Sequence, residues 1–338
     1  MSRLLNPTIA GNELFPAAPE LMGSAPSVDR VRRLIADISK RNQPVMIAAE
    51  IGLDAVAVAR AIHDGSSRAG GPFVAVDCSL REAASLDQKL FGRPAGAAGA
   101  GVEQLADDSL AGSAFGGTLA LVHLTELPAP LQGRLARLLR DRQVWRPLQG
   151  GGALDVLIVA TVRGNVEDHV RDGKISRDLC SRFSITLDLP ALRHRAADIP
   201  MLIGCVVSEA AAAAGTGVPA FSREALSLLA ALPWRRNFDE LREVLDVLVR
   251  VSAGAGIVGL DDVLGHVPID RLAPEQWQGA GLREARNAFE REYIAAVLCR
   301  HGWRMKEAAR TLGIQRTNLY RKIRQLGIAR ARVKRIGD

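Results

Sequence analysis

The carboxyl end of the chain is cationic and rich in side chains that bind nucleic acid. Residues 281–338 carry 15 Lys and Arg against 5 Asp and Glu, whereas the rest of the chain has a net charge of −3. Arg and Asn can make paired hydrogen bonds to guanine and adenine edges, and Lys and Arg can contact phosphates. We therefore expect this segment to bind double-stranded DNA. The candidate contact residues are Arg304, Lys306, Gln315, Arg316, Thr317, Asn318, Tyr320, Arg321, Lys322 and Arg324.

Three helices are expected to position these side chains. Apolar residues at helical spacing predict an amphipathic helix over 282–300. A second helix is predicted over 306–312, where Ala308 and Ala309 allow close approach, and a third over 315–326. Two short helices joined by a glycine-containing turn are typical of a helix-turn-helix, whose second helix enters the major groove. The alternative is a basic three-helix cap with no role in DNA binding.

The segment 289–328, FEREYIAAVLCRHGWRMKEAARTLGIQRTNLYRKIRQLGI, closely resembles the Fis-type helix-turn-helix that ends bacterial enhancer-binding proteins. The match is long and ungapped. In that family the first helix pairs with its counterpart in a second copy, so the resemblance implies a dimer on a roughly palindromic site. A basic tail follows and would contact phosphates through Arg330, Arg332, Lys334 and Arg335.

The stretch 22–190 alternates short aliphatic runs with helical patterns, as repeated strand, helix, strand units do. Strands that are apolar throughout need both faces covered, so we expect an α/β fold with an open parallel sheet flanked by helices. From about residue 191 the pattern becomes helical and predicts a lid subdomain. The predicted strands are 45–49, 73–76, 118–122 and 156–160, and the predicted helices are 55–63, 82–91, 131–140, 199–214, 222–232 and 239–252.

This body resembles the sigma-54-interacting AAA+ ATPase domain of the same family over about residues 20–265. The frame of that domain is kept in Val58-Ala-Arg-Ala-Ile-His63, Pro72-Phe-Val-Ala-Val-Asp-Cys78, Leu90-Phe-Gly92, Gly116-Gly-Thr-Leu119, Leu131-Gln132, Arg177-Asp-Leu179, Leu189-Pro-Ala-Leu-Arg193 and Asp198-Ile-Pro200. The predicted organisation is a short extension (1–20), a degenerate AAA+ domain (21–190), a helical lid (191–266), a linker (267–281) and a Fis-type helix-turn-helix domain (282–338).

The phosphate-binding loop of that family is degenerate in this sequence. A P-loop needs glycines whose N–H groups wrap the phosphates, and a Lys that reaches the β and γ oxygens. The aligned residues are Ala49-Glu-Ile-Gly-Leu-Asp-Ala-Val56, in which only Glu50 and Gly52 match. Ala55 replaces the lysine, and Asp54 replaces a glycine and brings a carboxylate to the place of the triphosphate. The local electric field is therefore reversed.

The other groups of the family's ATPase site are also changed. In phosphoryl transfer an acidic pair holds Mg²⁺ and polarises the attacking water, and further polar and cationic groups stabilise the transferred phosphate. The aligned positions are Val122 and His123 for the acidic pair, Val162 for the polar sensor, Asp239 for the lid arginine, and Ser176 and Arg182 for the two arginines offered across the subunit interface. Of these, Arg182 alone is kept.

These changes predict a pseudo-ATPase with no catalytic residue, no bound metal and no cofactor. Weak ATP binding without hydrolysis stays open, because the sheet and Gly52 remain. His123 could act as a base or metal ligand, but without a second nearby ligand we favour an ordinary histidine at a strand end. The loop by which the family engages sigma-54 aligns with 96–101, GAAGAG, which lacks the Phe and Thr of the family. We therefore expect sigma-54 remodelling to be lost as well.

Composition bounds the class of protein. A chain of 338 residues, 48% hydrophobic and 24% charged, is typical of a folded protein of two or three domains. The four cysteines lie far apart, without the spacing of a zinc site or redox pair. The first 20 residues hold no apolar signal region, so we expect a cytoplasmic protein without a membrane partner. They are also too few for an attached regulatory domain, so input would come through the body, a partner or expression level.

Our leading hypothesis from sequence is a DNA-binding transcriptional regulator related to sigma-54-dependent activators, with an ATPase-like body that serves as a scaffold. The expected partners are double-stranded DNA, a second copy in a homodimer or higher oligomer, and RNA polymerase or a related enhancer-binding protein. Two alternatives remain. One is an active sigma-54-dependent ATPase with atypical motifs, and the other is a modulator that co-assembles with a competent enhancer-binding protein.

Overall fold

A computed structural model of the chain divides it into two units, Met1–Val267 and Pro268–Asp338. The residues that the structure describes are 18–79, 83–92, 103–146, 150–252, 256–267, 291, 294, 298, 303–312 and 315–326. Residues 1–17 of the predicted extension, the loop 96–101, the linker after Val267 and the basic tail after Leu326 lie outside them.

The amino-terminal unit is built on a five-stranded parallel sheet. The strands of the unit are β1 (Val45–Ala49), β2 (Phe73–Asp77), β3 (Glu103–Gln104), β4 (Thr118–Val122), β5 (Gln143–Arg146), β6 (Gly150–Ala153), β7 (Leu157–Arg163), β8 (Ile185–Asp188), β9 (Ala220–Phe221) and β10 (Ile257–Val258). The main sheet has the order β2-β4-β7-β1-β8, and all neighbouring strands are parallel. The strands β3, β5 and β6 form a small mixed sheet.

The central strands are apolar because both of their faces are covered. All five residues of β1 are buried, and Val45 lies opposite Val159 of β7 on one side and Ile185 of β8 on the other. The parallel α/β fold and its four predicted strands are confirmed. Strand β8 was not predicted: it is an edge strand whose short segment alternates exposed and buried residues, so it lacks a continuous apolar run.

Helices cover both faces of the sheet and build the lid. The helices of this unit are α1 (Pro26–Ile38), α2 (Ala55–Asp64), α3 (Ala83–Phe91), α4 (Leu110–Ser113), α5 (Ala129–Asp141), α6 (Val166–Arg171), α7 (Arg177–Cys180), α8 (Ile199–Ala214), α9 (Arg223–Ala231), α10 (Asn237–Val251) and α11 (Leu260–His266). Leu131, Leu135 and Leu138 recur at helical spacing in α5 and belong to the main hydrophobic core. Helix α1 was not predicted from the sequence.

The lid, residues 191–267, contains α8 to α11. Its three longest helices, α8, α9 and α10, lie where the helical pattern predicts them, whereas the two-residue parallel pair of β9 and β10 was not expected. The stretch Ala196–Ala213 is long and apolar enough to cross a membrane by length and composition. Leu202, Val206 and Ala211 on it are buried, and α8 packs against α9 and α10 in the lid.

The carboxyl-terminal unit contains α12 (Met305–Thr311) and α13 (Arg316–Gln325). Both begin and end within one residue of their predicted bounds. Of the predicted helix 282–300, the structure describes positions 291, 294 and 298, which are helical. Ile294 and Leu298 form a small core with side chains of the two following helices, namely Ala308, Ala309 and Leu319.

A buried histidine makes the stability of the first unit pH-dependent. His63 is 2% exposed, and its Nδ1 lies 2.9 Å from Thr118 Oγ1. Burial lowers the pKa of His63 below its usual 6.5, although Asp64 acts in the opposite direction. The folded chain therefore resists a proton that the unfolded chain accepts. Stability is unaffected above about pH 6.5 and falls below it, by at most about 1.4 kcal/mol per pH unit.

The substitution His63→Gln is expected to flatten this pH dependence below about pH 6.5. Urea unfolding at a series of pH values measures it. Equal slopes for the two proteins would show that His63 is not the titrating group.

Candidate functional sites: the cleft at the strand ends and the cationic helix

The carboxyl ends of β1, β4 and β7 open into a cleft of about 370 Å³, where parallel α/β sheets place their ligand sites. The cleft brings together the ATPase-site positions aligned from the sequence except Ser176 and Arg182. It is lined by residues 49–56 and by Val122, His123, Thr161, Val162, Arg163, Asp239 and Arg242.

Asp54 fills the amino terminus of α2 with its own carboxylate. Its Oδ1 accepts hydrogen bonds from the amides of Val56 at 3.0 Å and Ala57 at 2.9 Å. The amide of Ala55 donates to Leu53 O at 3.1 Å. The first-turn amides of a helix are the donors that hold a phosphate in a nucleotide site. In this chain they are bonded to protein atoms, and the charged group in direct contact with two of them is the carboxylate of Asp54.

Glu20 accepts a hydrogen bond from the backbone amide of Asp54, the residue just before α2. Its Oε1 accepts the N–H of Asp54 at 2.9 Å, and its side chain is 2% exposed. Burial raises the pKa of the Glu20 carboxyl, while the bond from Asp54 opposes that shift. Arg195 donates to the carbonyl of Glu20 at 2.6 Å. Glu20 was not predicted as a site residue: it falls in the predicted extension 1–20, and no local pattern signals this long-range contact.

The two kept residues of the loop have structural partners. Arg193 binds Glu50 through two bonds of 2.7 and 2.5 Å, and this hydrogen bonding lowers the pKa of Glu50 against the opposing effect of burial. Gly52 has φ +79°, and a Cβ built on it would lie 1.8 Å from the carbonyl oxygen of Arg236 in the lid. Only glycine combines this conformation with such a close approach. The retention of Gly52 and Glu50 is therefore explained without a nucleotide.

His123 lies at the end of β4 in the left-handed conformation, with φ 57°. Its Nδ1 is 3.2 Å from Asp77 Oδ1, and its backbone N–H donates to Thr161 Oγ1 at 3.1 Å. Neither His123 nor Val122 brings a carboxylate to the cleft. Within the part of the chain that the structure describes, no three His, Cys, Asp or Glu side chains come together as metal ligands.

The two positions aligned with interface arginines lie around α7. Ser176 caps the helix, since its Oγ accepts the amide of Leu179 at 3.2 Å. Arg182 pairs with Asp178, and its side chain is 30% exposed. Arg182 does not line the cleft of its own chain. Asp239, in the first turn of α10, does line it.

The cationic helix α13 divides its residues between a buried and an exposed side. Leu319 is fully buried in the small core, whereas Arg316, Thr317, Tyr320 and Arg321 are exposed. The guanidinium carbon of Arg316 lies 5.7 Å from the ring centroid of Tyr320, one turn further on. An exposed face with a stacked arginine near the helix start has the composition that reads base edges in the major groove.

The other predicted contact residues surround this face. Asn318 and Lys322 are partly buried on α13, and Gln315, just before the helix, is exposed. Arg304 and Lys306 are exposed at the start of α12, and Arg304 Nη1 is 3.4 Å from Glu307 Oε1. Arg324 is part of α13.

A parallel α/β sheet with a helical lid, followed by a separate helix-turn-helix, defines an AAA+-type transcription regulator. Residues 21–187 match the Sigma-54 interaction domain, residues 193–268 the AAA+ ATPase lid domain, and residues 285–326 the Fis family of bacterial regulatory proteins.

Whole-chain comparisons agree with these matches. The chain is 32% identical to the DNA-binding transcriptional regulator NtrC of Salmonella typhimurium, over 91% of this chain and 70% of that protein. It is 29% identical to the nitric oxide reductase regulator NorR of Aeromonas salmonicida, over 93% of this chain and 64% of that protein. The crystal structure of NtrX from Brucella abortus in complex with ADP is similar with a TM-score of 0.62 and 29% identity, over 92% of this chain and 69% of that chain.

The chain belongs to the NtrC-like family of sigma-54-dependent transcriptional regulators and carries the family's Fis-type DNA-binding helix-turn-helix.

Proposed function

We propose that this family member is a sequence-specific DNA-binding regulator in which ATP hydrolysis and sigma-54 remodelling have been lost. The observation that carries the proposal is the carboxylate of Asp54 on the amino terminus of α2. Phosphoryl transfer depends on placed cations and a metal ion. Ala55 offers no ammonium group, and Val122 and His123 offer no carboxylate for Mg²⁺.

The proposed molecule has no resident cofactor, and ATP binds weakly at most. A related protein, NtrX from Brucella abortus, has been crystallised in complex with ADP and with ATP, so this fold can hold a nucleotide. In the present chain a nucleotide phosphate would have to displace Asp54 from two amides and Glu20 from a third. The phosphate would also approach the two carboxylates, those of Asp54 and Glu20, that now accept these amides.

The proposed partners follow from the carboxyl-terminal unit and the family. They are double-stranded DNA, a second copy of the chain in a homodimer or higher oligomer, and RNA polymerase. The loop 96–101, composed of Gly and Ala, lacks the side chains for sigma-54 contact, which supports regulation by DNA occupancy rather than by promoter remodelling. We place the protein in the cytoplasm.

Turnover and DNA binding test the proposal together. Purified protein is expected to release no phosphate from Mg-ATP above the level of the Arg182→Ala variant. It is also expected to bind its preferred DNA site more tightly than a random duplex at physiological salt. Nonspecific binding by basic groups fades steeply with salt, whereas base readout persists. ATP hydrolysis abolished by Arg182→Ala would refute the loss of activity. Absence of selective binding would refute the regulator.

The helix α13 supports a prediction about base readout. Arg316→Ala and Asn318→Ala are each expected to lower discrimination between the preferred site and a random duplex by roughly 1–3 kcal/mol, because each removes a contact to a base edge. Arg332→Ala in the basic tail is the matched control and should weaken both duplexes alike. Fluorescence anisotropy on both duplexes measures the difference. Equal losses on both duplexes for all three variants would show that α13 does not read bases.

Arg182 favours a second candidate function, a modulator that joins the ring of a competent relative. This side chain is kept although its own cleft lacks the ATPase groups, and it stands outside that cleft. Mixing the purified chain with an active enhancer-binding protein should then change that protein's ATP turnover, and Arg182→Ala should abolish the change. Unaltered turnover at all mixing ratios would exclude this function.

A further inference from the structure

We propose that the lid is latched to the sheet by protein groups alone, so that its position does not respond to nucleotide. The latch consists of three segments: residues 50–54 after β1, residues 192–198 at the entry to the lid, and residues 236–239 at the start of α10. The proposal goes beyond the proposed function, because a lid that ignores nucleotide fixes the shape of the whole amino-terminal unit.

Asn237 is the centre of the latch. It is fully buried and has a positive φ of 45°. Its Nδ2 donates to Ile51 O at 2.8 Å and lies 3.4 Å from Glu50 Oε2, while its Oδ1 accepts the amide of Leu192 at 2.9 Å. One side chain therefore joins all three segments.

Backbone and charged contacts reinforce this junction. The amide of Phe238 donates to Gly52 O at 3.0 Å, and the Cα of Gly52 packs against the carbonyl of Arg236 with no room for a Cβ. The carboxylate of Glu50 is held from the lid side by both terminal nitrogens of Arg193. The loop that would close around phosphates is thus bonded to the lid directly.

A second set of contacts involves residues 20–25, the segment before α1. Glu20 binds the amide of Asp54 through its side chain and Arg195 through its carbonyl, at 2.9 and 2.6 Å. Asp198 accepts the amides of Ser24 and Ala25 at 2.8 and 3.2 Å. The side chains of Glu20, Arg195 and Asp198 are all at most 2% exposed. This segment therefore ties the loop 50–54 to the lid entry through a second set of contacts.

Rotation of the lid away from the sheet would break, at the same time, the bonds that Arg193, Asn237 and Phe238 make to residues 50–52, and each of these groups would have to find another partner. A hinge motion driven by nucleotide needs a ligand that binds one lid position better than another. With the α2 amides already bonded, the cleft offers phosphate little of that difference.

Hydrogen exchange of the whole 338-residue chain, read by mass spectrometry with and without millimolar Mg-ATP, tests the latch. We expect slow exchange in peptides covering 50–54, 188–195 and 234–242, at the same rate in both samples. Asn237→Ala should raise exchange in all three by about tenfold. The control Asn165→Ala removes an asparagine cap from α6 and should affect only that helix.

Fast exchange of these peptides in the unaltered protein, slowed only when Mg-ATP is added, would overturn the proposal. The lid would then depend on the nucleotide for its closed position. If Asn237→Ala does not fold, Glu50→Gln keeps the side-chain volume and removes the charge that Arg193 binds, and it should give the same pattern. Phosphate release measured in the same samples separates the two proposals. Hydrolysis with unchanged exchange would refute the loss of ATPase activity and leave the latch standing.

Discussion

Gly52→Ala is expected to lower the melting temperature of the amino-terminal unit by about 10 °C. Two costs combine. An alanine at φ +79° costs about 1–2 kcal/mol, and its Cβ would lie 1.8 Å from the carbonyl oxygen of Arg236. The start of α10 must then move, and the bond from Phe238 to Gly52 is lost. Together these give roughly 3–5 kcal/mol.

The control Gly173→Ala separates the two costs. Gly173 has nearly the same φ of +74°, but a Cβ there meets no atom within 4 Å. It should therefore show the conformational cost alone, about 1–2 kcal/mol. Differential scanning calorimetry of the two variants compares them. Similar melting temperatures would mean that the contact between Gly52 and the lid is not tight.

Arg195→Ala should destabilise the amino-terminal unit by about 3–5 kcal/mol, the usual cost of removing one partner of a buried ion pair. Burial lowers the pKa of Arg195 to about 10, so the side chain is still a cation at neutral pH. Its Nε lies 3.5 Å from Asp198 Oδ2, and its terminal nitrogens bind the carbonyls of Glu20 and Met22. The substitution leaves a buried carboxylate and three backbone carbonyls, those of Pro19, Glu20 and Met22, with fewer partners.

An exposed arginine provides the comparison for Arg195. Arg171 pairs with Asp168, but the two side chains are 73% and 54% exposed. Exposed pairs contribute little, so Arg171→Ala should change stability by less than about 1 kcal/mol. Chemical denaturation of both variants measures the losses. If Arg195→Ala lost no more free energy of unfolding than Arg171→Ala, Arg195 would not be what holds the segment before α1 in place.

The fold could be predicted from the sequence where the burial of an element leaves a hydrophobic pattern in its own residues. The run 45–49 is wholly apolar because β1 is covered on both faces, and 199–214 is helical and apolar because α8 packs inside the lid. Strand β8 alternates and was missed. Helix α1 was missed although Val28, Val31 and Ile35 are buried at helical spacing, and Pro26 at its start is a favoured first-turn residue.

The residues of the site could be identified from the sequence, but their hydrogen-bond partners could not. Alignment with the family located Asp54 and Ala55, but it treated the Asp54 carboxylate as a charge facing a triphosphate. The structure shows it bonded to its own helix, a role that aspartate at a helix start commonly takes. Glu20 and Arg195 are 175 positions apart, and no short sequence window can reveal that they meet.

Titration calorimetry with Mg-ATP tests most directly whether the α2 terminus is filled by the protein rather than by phosphate. For the unaltered protein we predict no saturable binding at micromolar nucleotide, and stronger binding by Asp54→Ala, in which two amides are freed and a negative charge is removed. One-site micromolar binding by the unaltered protein, unchanged by Asp54→Ala, would contradict the account.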